Sequence, residues 1–256
     1  MARLPRLYAP RVPQLAQARF ARALAPADAP APGAALDRIA GWLAEEARLA
    51  ATPKNDAPRP PRPDAGPSAG AGAPAVSIHA WAILPDSITL LATPGDDQSL
   101  PRLMQALGRR MGSGLLRTRV YAGRYHNALL EPGRWVLPAM VWVESLAAAA
   151  GHVAAATQWP WSSAAEHAGQ AAGTTDTIGW LLDHPDYWRE GDTPFARQAA
   201  WRKRLAAGLA ESQGRQIEAA LHGQWALGEK IFLTHLGRLA SRRVSPAPRG
   251  RPRKTS

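Results

Sequence analysis

The chain of 256 residues is 46% hydrophobic, enough for a packed core, and its formal net charge of +11 points to a polyanionic partner, nucleic acid or an acidic membrane surface. Cysteine is absent, which removes disulfides, cysteine-based zinc sites and a thiol nucleophile together and fits a reducing cytoplasm. No apolar run approaches the roughly 18 residues a membrane-spanning helix needs, so an integral helical membrane protein is excluded.

Only Lys54, Lys203, Lys230 and Lys254 are lysine, in a background rich in Ala, Pro and Gly, so part of the arginine excess is compositional bias. Met1 to Ala27 carries arginines and no acid, as a transit peptide does, but Pro5, Pro10 and Pro13 would break the helix such a peptide forms. Leu36, Ile39, Leu43 and Ala47 recur at helical spacing with Glu45, Glu46 and Arg48 between them, which predicts an amphipathic helix over Ala34 to Leu49. Thr52 to Ala75 is dominated by Pro, Ala and Gly, including Pro58-Arg59-Pro60-Pro61-Arg62-Pro63. It cannot build a core and reads as a linker or loop insertion. Val76 to Leu84 and Ile88 to Thr93 are β-leaning stretches around Pro85-Asp86-Ser87, an expected antiparallel hairpin.

Leu100, Leu103, Met104, Leu107, Met111 and Leu115 mark a second helix, whose other face carries Arg102, Arg109, Arg110 and Arg117. Tyr121 to Leu130 reads as a further strand. Trp135 to Ala156 reads as a long apolar helix, with Pro138 in its first turn, where proline is tolerated. After Trp159-Pro160-Trp161-Ser162-Ser163 the chain becomes loop-rich, and helical patterns return over Phe195 to Leu209, Ser212 to Leu221 and Glu229 to Leu239. Beyond Glu229, the last acid, stand Lys230, Arg238, Arg242, Arg243, Arg249, Arg251, Arg253 and Lys254. Within this basic tail, Pro248-Arg249-Gly250-Arg251-Pro252-Arg253-Lys254 matches the AT-hook pattern. Gly lets the backbone approach the groove floor, Pro holds it extended, and Arg side chains follow the narrow minor groove of A·T-rich DNA. The plainer reading is a solvated basic tail that meets phosphates without specificity.

Several blocks, in order along the chain, resemble the REP-associated tyrosine transposases, a branch of the HUH single-strand nucleases. They are Met1-Ala2-Arg3-Leu4-Pro5-Arg6, His79-Ala80-Trp81-Ala82-Ile83-Leu84-Pro85, Leu90-Leu91-Ala92-Thr93-Pro94 and Leu103-Met104-Gln105-Ala106-Leu107-Gly108-Arg109-Arg110. Gly123-Arg124-Tyr125, Trp159 to Ser163, Trp225-Ala226-Leu227-Gly228 and the closing basic run complete the set. The resemblance implies an active site of two His on one strand face holding Mg²⁺ or Mn²⁺, an attacking Tyr on a later helix, and an Asn one turn on. In this sequence the His positions read Ser87 and Thr89, the nucleophile position Trp142 and the Asn position Leu146. A hydroxyl is a weak metal ligand and indole has no nucleophilic oxygen, so no catalytic residue, metal site or cofactor is expected. The first family strand also looks degraded, reading Pro13-Gln14-Leu15-Ala16-Gln17-Ala18-Arg19.

The seven His form no metal pattern. His79 is expected to be a packed or hydrogen-bonded core residue, Trp159 and Trp161 core anchors, and Glu144 a surface or capping carboxylate. Tyr121 and Tyr125 suit core or base-stacking roles better than nucleophilic ones. Gly112-Ser113-Gly114 lacks the lysine and spacing of a phosphate loop. Arg109, Arg110 and Arg124, with Arg249, Gly250, Arg251, Arg253 and Lys254 of the tail, are the expected nucleic-acid contacts.

The expected fold is α+β, a small antiparallel sheet with flanking helices, ferredoxin-like as in the HUH nucleases. Residues 1–51 and 76–170 would form a DNA-binding domain, followed by a helical extension over 171–241 and a disordered basic tail over 242–256. The implied protein binds hairpin or single-stranded DNA, and A·T-rich duplex through its tail, without cutting it, in the cytoplasm at the nucleoid. A still-active single-strand transposase with a relocated nucleophile, and a non-enzymatic RNA-binding protein, are the alternatives.

Overall fold

The computed structural model describes residues 5–24, 33–51, 75–116, 119–170 and 179–246. The AT-hook match and all but the last residue of the proline-rich segment lie outside the described residues.

Strands β1 (Gln14–Arg19), β2 (Val76–Leu84), β3 (Ser87–Pro94) and β4 (His126–Leu129) form an antiparallel sheet in the order β2-β3-β1-β4. Helix α1 (Gly33–Ala51) follows β1 and helix α2 (Ser99–Met111) follows β3. This β-α-β-β-α-β order with that strand arrangement is the ferredoxin-like plan. The fold is α+β, as the sequence pattern predicts.

Side-chain alternation divides the sheet into two faces. Ala16 and Ala18 of β1, and Phe20 just past its end, share one face with Ile88, Leu90 and Ala92, and pack with Leu36, Ile39 and Leu43 of α1 and Leu103 and Leu107 of α2. Leu15 and Leu91 face the other way, with Ala80 and Ala82, into a second cluster built on α3 (Val136–Ala149). Trp201 of α6 (Pro194–Ala207) and Ile217 and Leu221 of α7 (Glu211–Gly223) belong to that same cluster, so the helical extension shares the sheet's core. Between them in sequence lie the short helices α4 (Ala164–His167) and α5 (Pro185–Trp188).

A third cluster joins the two ends of the described chain. Leu7 and Ala9 pack with Ala226, Leu236 of α8 (Lys230–Leu239) and Val244. Ser241 clasps the N-terminal segment. Its N–H donates to Tyr8 O at 2.8 Å, its hydroxyl donates to Arg6 O at 2.8 Å, and that hydroxyl accepts from Tyr8 N–H at 2.9 Å.

Several sequence expectations change. The segment taken for a degraded strand is β1, hydrogen-bonded on both sides; Ala16 and Ala18 are small enough for α1 and α2 to sit close over it. The apolar helix expected to reach Ala156 ends at Ala149, because Gly151 turns the chain at φ +76°. The strand expected from Tyr121 is regular only over His126–Leu129; its first part instead bridges Tyr121 to Phe20. The tail expected to be disordered from Arg242 keeps Val244 buried, with its carbonyl accepting from Ala226 N–H at 2.8 Å. Among the described residues no helix is long and apolar enough to cross a membrane.

Candidate nucleic-acid interface

Helix α2 turns Leu100, Leu103, Leu107 and Met111 into the core, which leaves Pro101, Gln105, Gly108 and Arg109 on the opposite side. Opposite them runs the segment 119–125, held to the end of β1 by Ala21 N–H donating to Val120 O and Ala122 N–H donating to Arg19 O. Tyr121 closes the floor, its hydroxyl donating to Met104 O at 3.0 Å. Its ring packs so near α2 that a Cβ at Gly108 would lie 2.7 Å from it, so only glycine fits there.

Two adjoining cavities result, of about 520 and 600 Å³, with Arg119, Tyr121, Gly123 and Arg124 as their common wall. The first adds Arg6, Gln105 and Arg109 around an apolar floor; the second adds His126, Gln224, Trp225 and Arg242. Among the described residues no carboxylate lines either one.

The arginines are positioned by carbonyls and rings. Arg119 donates from Nε to Tyr121 O at 2.9 Å and from Nη2 to Ala122 O at 2.7 Å. The Arg6 guanidinium lies 4.1 Å over the Tyr125 ring, and that of Arg242 lies 5.1 Å over Trp225 while donating to Gln224 O. These partners fix geometry without neutralising charge. Burial accordingly lowers the pKa of Arg6 and of Arg242, with Arg124 adding repulsion at Arg6. Burial pushes the Tyr125 phenol up to about 12, against the pull of Arg6 and Arg124, and raises Tyr121 as well. Neither phenol is prepared for nucleophilic attack.

Of the expected contacts, Arg109 and Arg124 line the groove. Arg110 instead turns to α1, where it pairs with Glu45 and, at 2.7 Å, with Glu46. Arg249, Gly250, Arg251, Arg253 and Lys254 lie outside the described residues. Sequence reasoning missed Arg6, Arg119, Arg242, Gln105 and His126, which reach the groove from separated segments.

The four positions of the implied active site do not form one. Ser87 and Thr89 lie on the α3 side of β3, with Thr89 fully buried and accepting from Gln17 Nε2 at 3.1 Å. Trp142 and Leu146 line a different cavity of about 380 Å³, whose other wall is the α6–α7 junction, and no β3 residue reaches it. Those residue types do not fit a divalent metal: both hydroxyls are engaged, Thr89 with Gln17 and Ser87 by donating to Asp86 Oδ1 at 2.8 Å, and an indole and an isobutyl group offer no ligand. Among the described residues no group of three or more His, Asp or Glu could hold one.

Glu144 corrects an expectation. It is fully buried, and accepts from Ser163 Oγ at 2.7 Å, His167 Nδ1 at 2.5 Å and Trp201 Nε1 at 2.8 Å. The signal was present in the sequence: a carboxylate on a helix apolar on all sides has no solvent face and must find partners. His79 is a core residue as expected, bonded to Leu182 O at 2.7 Å and Thr93 Oγ1 at 2.9 Å. Trp159 and Trp161 are buried anchors, donating to Ile83 O and Asp37 Oδ1.

No protein-family model matches the chain, and no curated protein does. Among solved structures, one of a REP-associated tyrosine transposase bound to a REP hairpin is similar, with a TM-score of 0.44 and 14% identity, covering 72% of this chain and 99% of that one.

Proposed function

We propose that this chain binds nucleic acid through the arginine groove and does not cut it. The carrying observation is a concave surface lined by Arg6, Arg109, Arg119, Arg124 and Arg242, with no carboxylate among the described residues that line it. The guanidinium groups of Arg6, Arg119 and Arg242, already fixed by rings and carbonyls, lose little freedom on meeting phosphate. The resemblance of the sequence blocks narrows the ligand to DNA with a hairpin or single-stranded stretch, with Arg249 to Lys254 as a second contact for A·T-rich duplex. The absence of cutting is supported by Thr89, sealed under α3, and by Trp142, which has no attacking oxygen.

A fluorescence-anisotropy titration of the full chain with a stem-loop DNA bearing a single-stranded extension tests the binding. Affinity should fall between about 50 and 200 mM salt, with a log–log slope of roughly −0.7 to −0.9 per phosphate contacted. Arg119→Ala and Arg124→Ala should each weaken binding and flatten that slope by about one contact. Unchanged affinity and slope in both variants would place binding elsewhere. Incubation of labelled hairpin with Mg²⁺ or Mn²⁺ should leave no adduct on a denaturing gel. A covalent protein–DNA band would overturn the non-cutting half of the proposal.

A further inference from the structure

The larger cavity contains a group that an arginine-only account leaves unused. His126 opens β4 on the same sheet face as Gln17 and lines the cavity beside Arg119, Arg124 and Arg242. Its ring stands edge-on to that of His222 in the last turn of α7, with centroids 5.9 Å apart. The charged and titratable groups facing His126 are His222 from α7 and Arg19 from β1, with the three cavity arginines around them. A pair of imidazoles suggests a divalent metal in other settings. Here the guanidinium groups repel a cation, and among the described residues no carboxylate lines the cavity to offset them. The same surroundings suit an anion.

Burial, then His222, then Arg19 hold the His126 pKa below the ordinary imidazole value, so the free protein carries it neutral at pH 7. A phosphodiester entering the cavity reverses the sign of that field. We infer that His126, with His222 beside it, is a proton-operated phosphate contact: a backbone phosphate in the groove is taken up together with a proton. The proton adds to an imidazole nitrogen, and the resulting N–H donates to a phosphate oxygen. The sign follows from linkage: the bound state holds more protons than the free state, so affinity rises as pH falls through the bound-state pKa and levels off below the free one. This rests on the reading of the groove as a nucleic-acid site.

The test is the stem-loop titration repeated at about pH 6 and about pH 8, on either side of the imidazole range. The full chain should bind about fivefold tighter at the lower pH, and its salt slope should steepen by roughly 0.7 to 0.9, one further phosphate contact. In the His126→Gln/His222→Gln double variant both differences should vanish. His235→Gln, on the exposed side of α8, should keep them. Retention of the full pH gain and slope change in the double variant would overturn the inference and leave the groove reading intact. No binding at either pH would overturn both. A measurement on the unaltered chain guards against a misfolded variant: the His126 imidazole resonance should titrate at higher pH with the stem-loop bound than without it. An unmoved midpoint would sink the inference.

Discussion

Glu144 joins three helices of the fold through one carboxylate. Oε1 receives Ser163 and His167, and Oε2 receives Trp201. In Glu144→Gln the amide nitrogen must face one of these donors, leaving two donors opposed and a buried imidazole without its counter-charge. Breaking a buried pair from one side costs about 3 to 5 kcal/mol, so urea denaturation of Glu144→Gln should show a loss of that order. A loss under ~1 kcal/mol would mean that the pair contributes no more than a surface one. His79 supplies a second residue-scale expectation, this time in pH. Burial lowers its pKa to about 4 despite its bond to Leu182 O. The unfolded imidazole takes a proton near 6.5 and the folded one only near 4, so between those values the unfolded chain binds more protons. Stability from His79 is complete above pH 6.5 and declines as pH falls towards 4. The margin of the wild type over His79→Gln, from unfolding curves, should shrink by on the order of 3 kcal/mol across that window. His167 runs the opposite way: burial, the largest single effect, would lower it, but the charge and hydrogen bond of Glu144, joined by Asp183 and Glu166, together raise it. A pH-independent margin would show that His79 is not sealed from water.

At the scale of elements, the contact between α2 and Tyr121 sets the width of the groove. A methyl group at Gly108 would meet the Tyr121 ring at 2.7 Å, and that ring is pinned by its hydroxyl on Met104 O. Gly108→Ala should therefore destabilise the fold by about 1 to 3 kcal/mol despite the better helix propensity of alanine, and should weaken oligonucleotide binding as the floor shifts. Gly41→Ala in α1, where a methyl group would meet nothing within 4 Å, should instead stabilise by about 0.5 to 1 kcal/mol. Equal melting shifts of the same sign in the two variants would refute the close packing of Tyr121. The same elements show what local pattern conveys. Helix α1 and the β2–β3 hairpin were readable because Leu36, Ile39 and Leu43 repeat at helical spacing and the β2–β3 turn is marked by Pro85 and Asp86. β1 was not, because Ala16 and Ala18 carry little β propensity; their value lies in letting two helices approach, a tertiary reason. The α3 boundary was overrun because its alanines favour helix as far as a glycine with positive φ.

For the whole molecule, the net charge of +11 announced a polyanion but not where it would sit. The groove takes Arg6 from one end of the chain, Arg109 from α2, Arg119 and Arg124 from a connecting segment and Arg242 from the other end. No spacing rule links such distant positions: of the five only Arg109 and Arg124 were legible in the sequence, and Arg110, read with them, is paired with acids on α1. The clasp of Ser241 on residues 6 to 8 brings the two extremes of the described chain together, and with them Arg6 and Arg242. A nascent polypeptide halted anywhere short of Ser241 has neither the fastening nor the final guanidinium, however complete its sheet. The second cavity is therefore closed only when the segment carrying Arg242 docks against residues 6 to 8, whatever the state of the sheet.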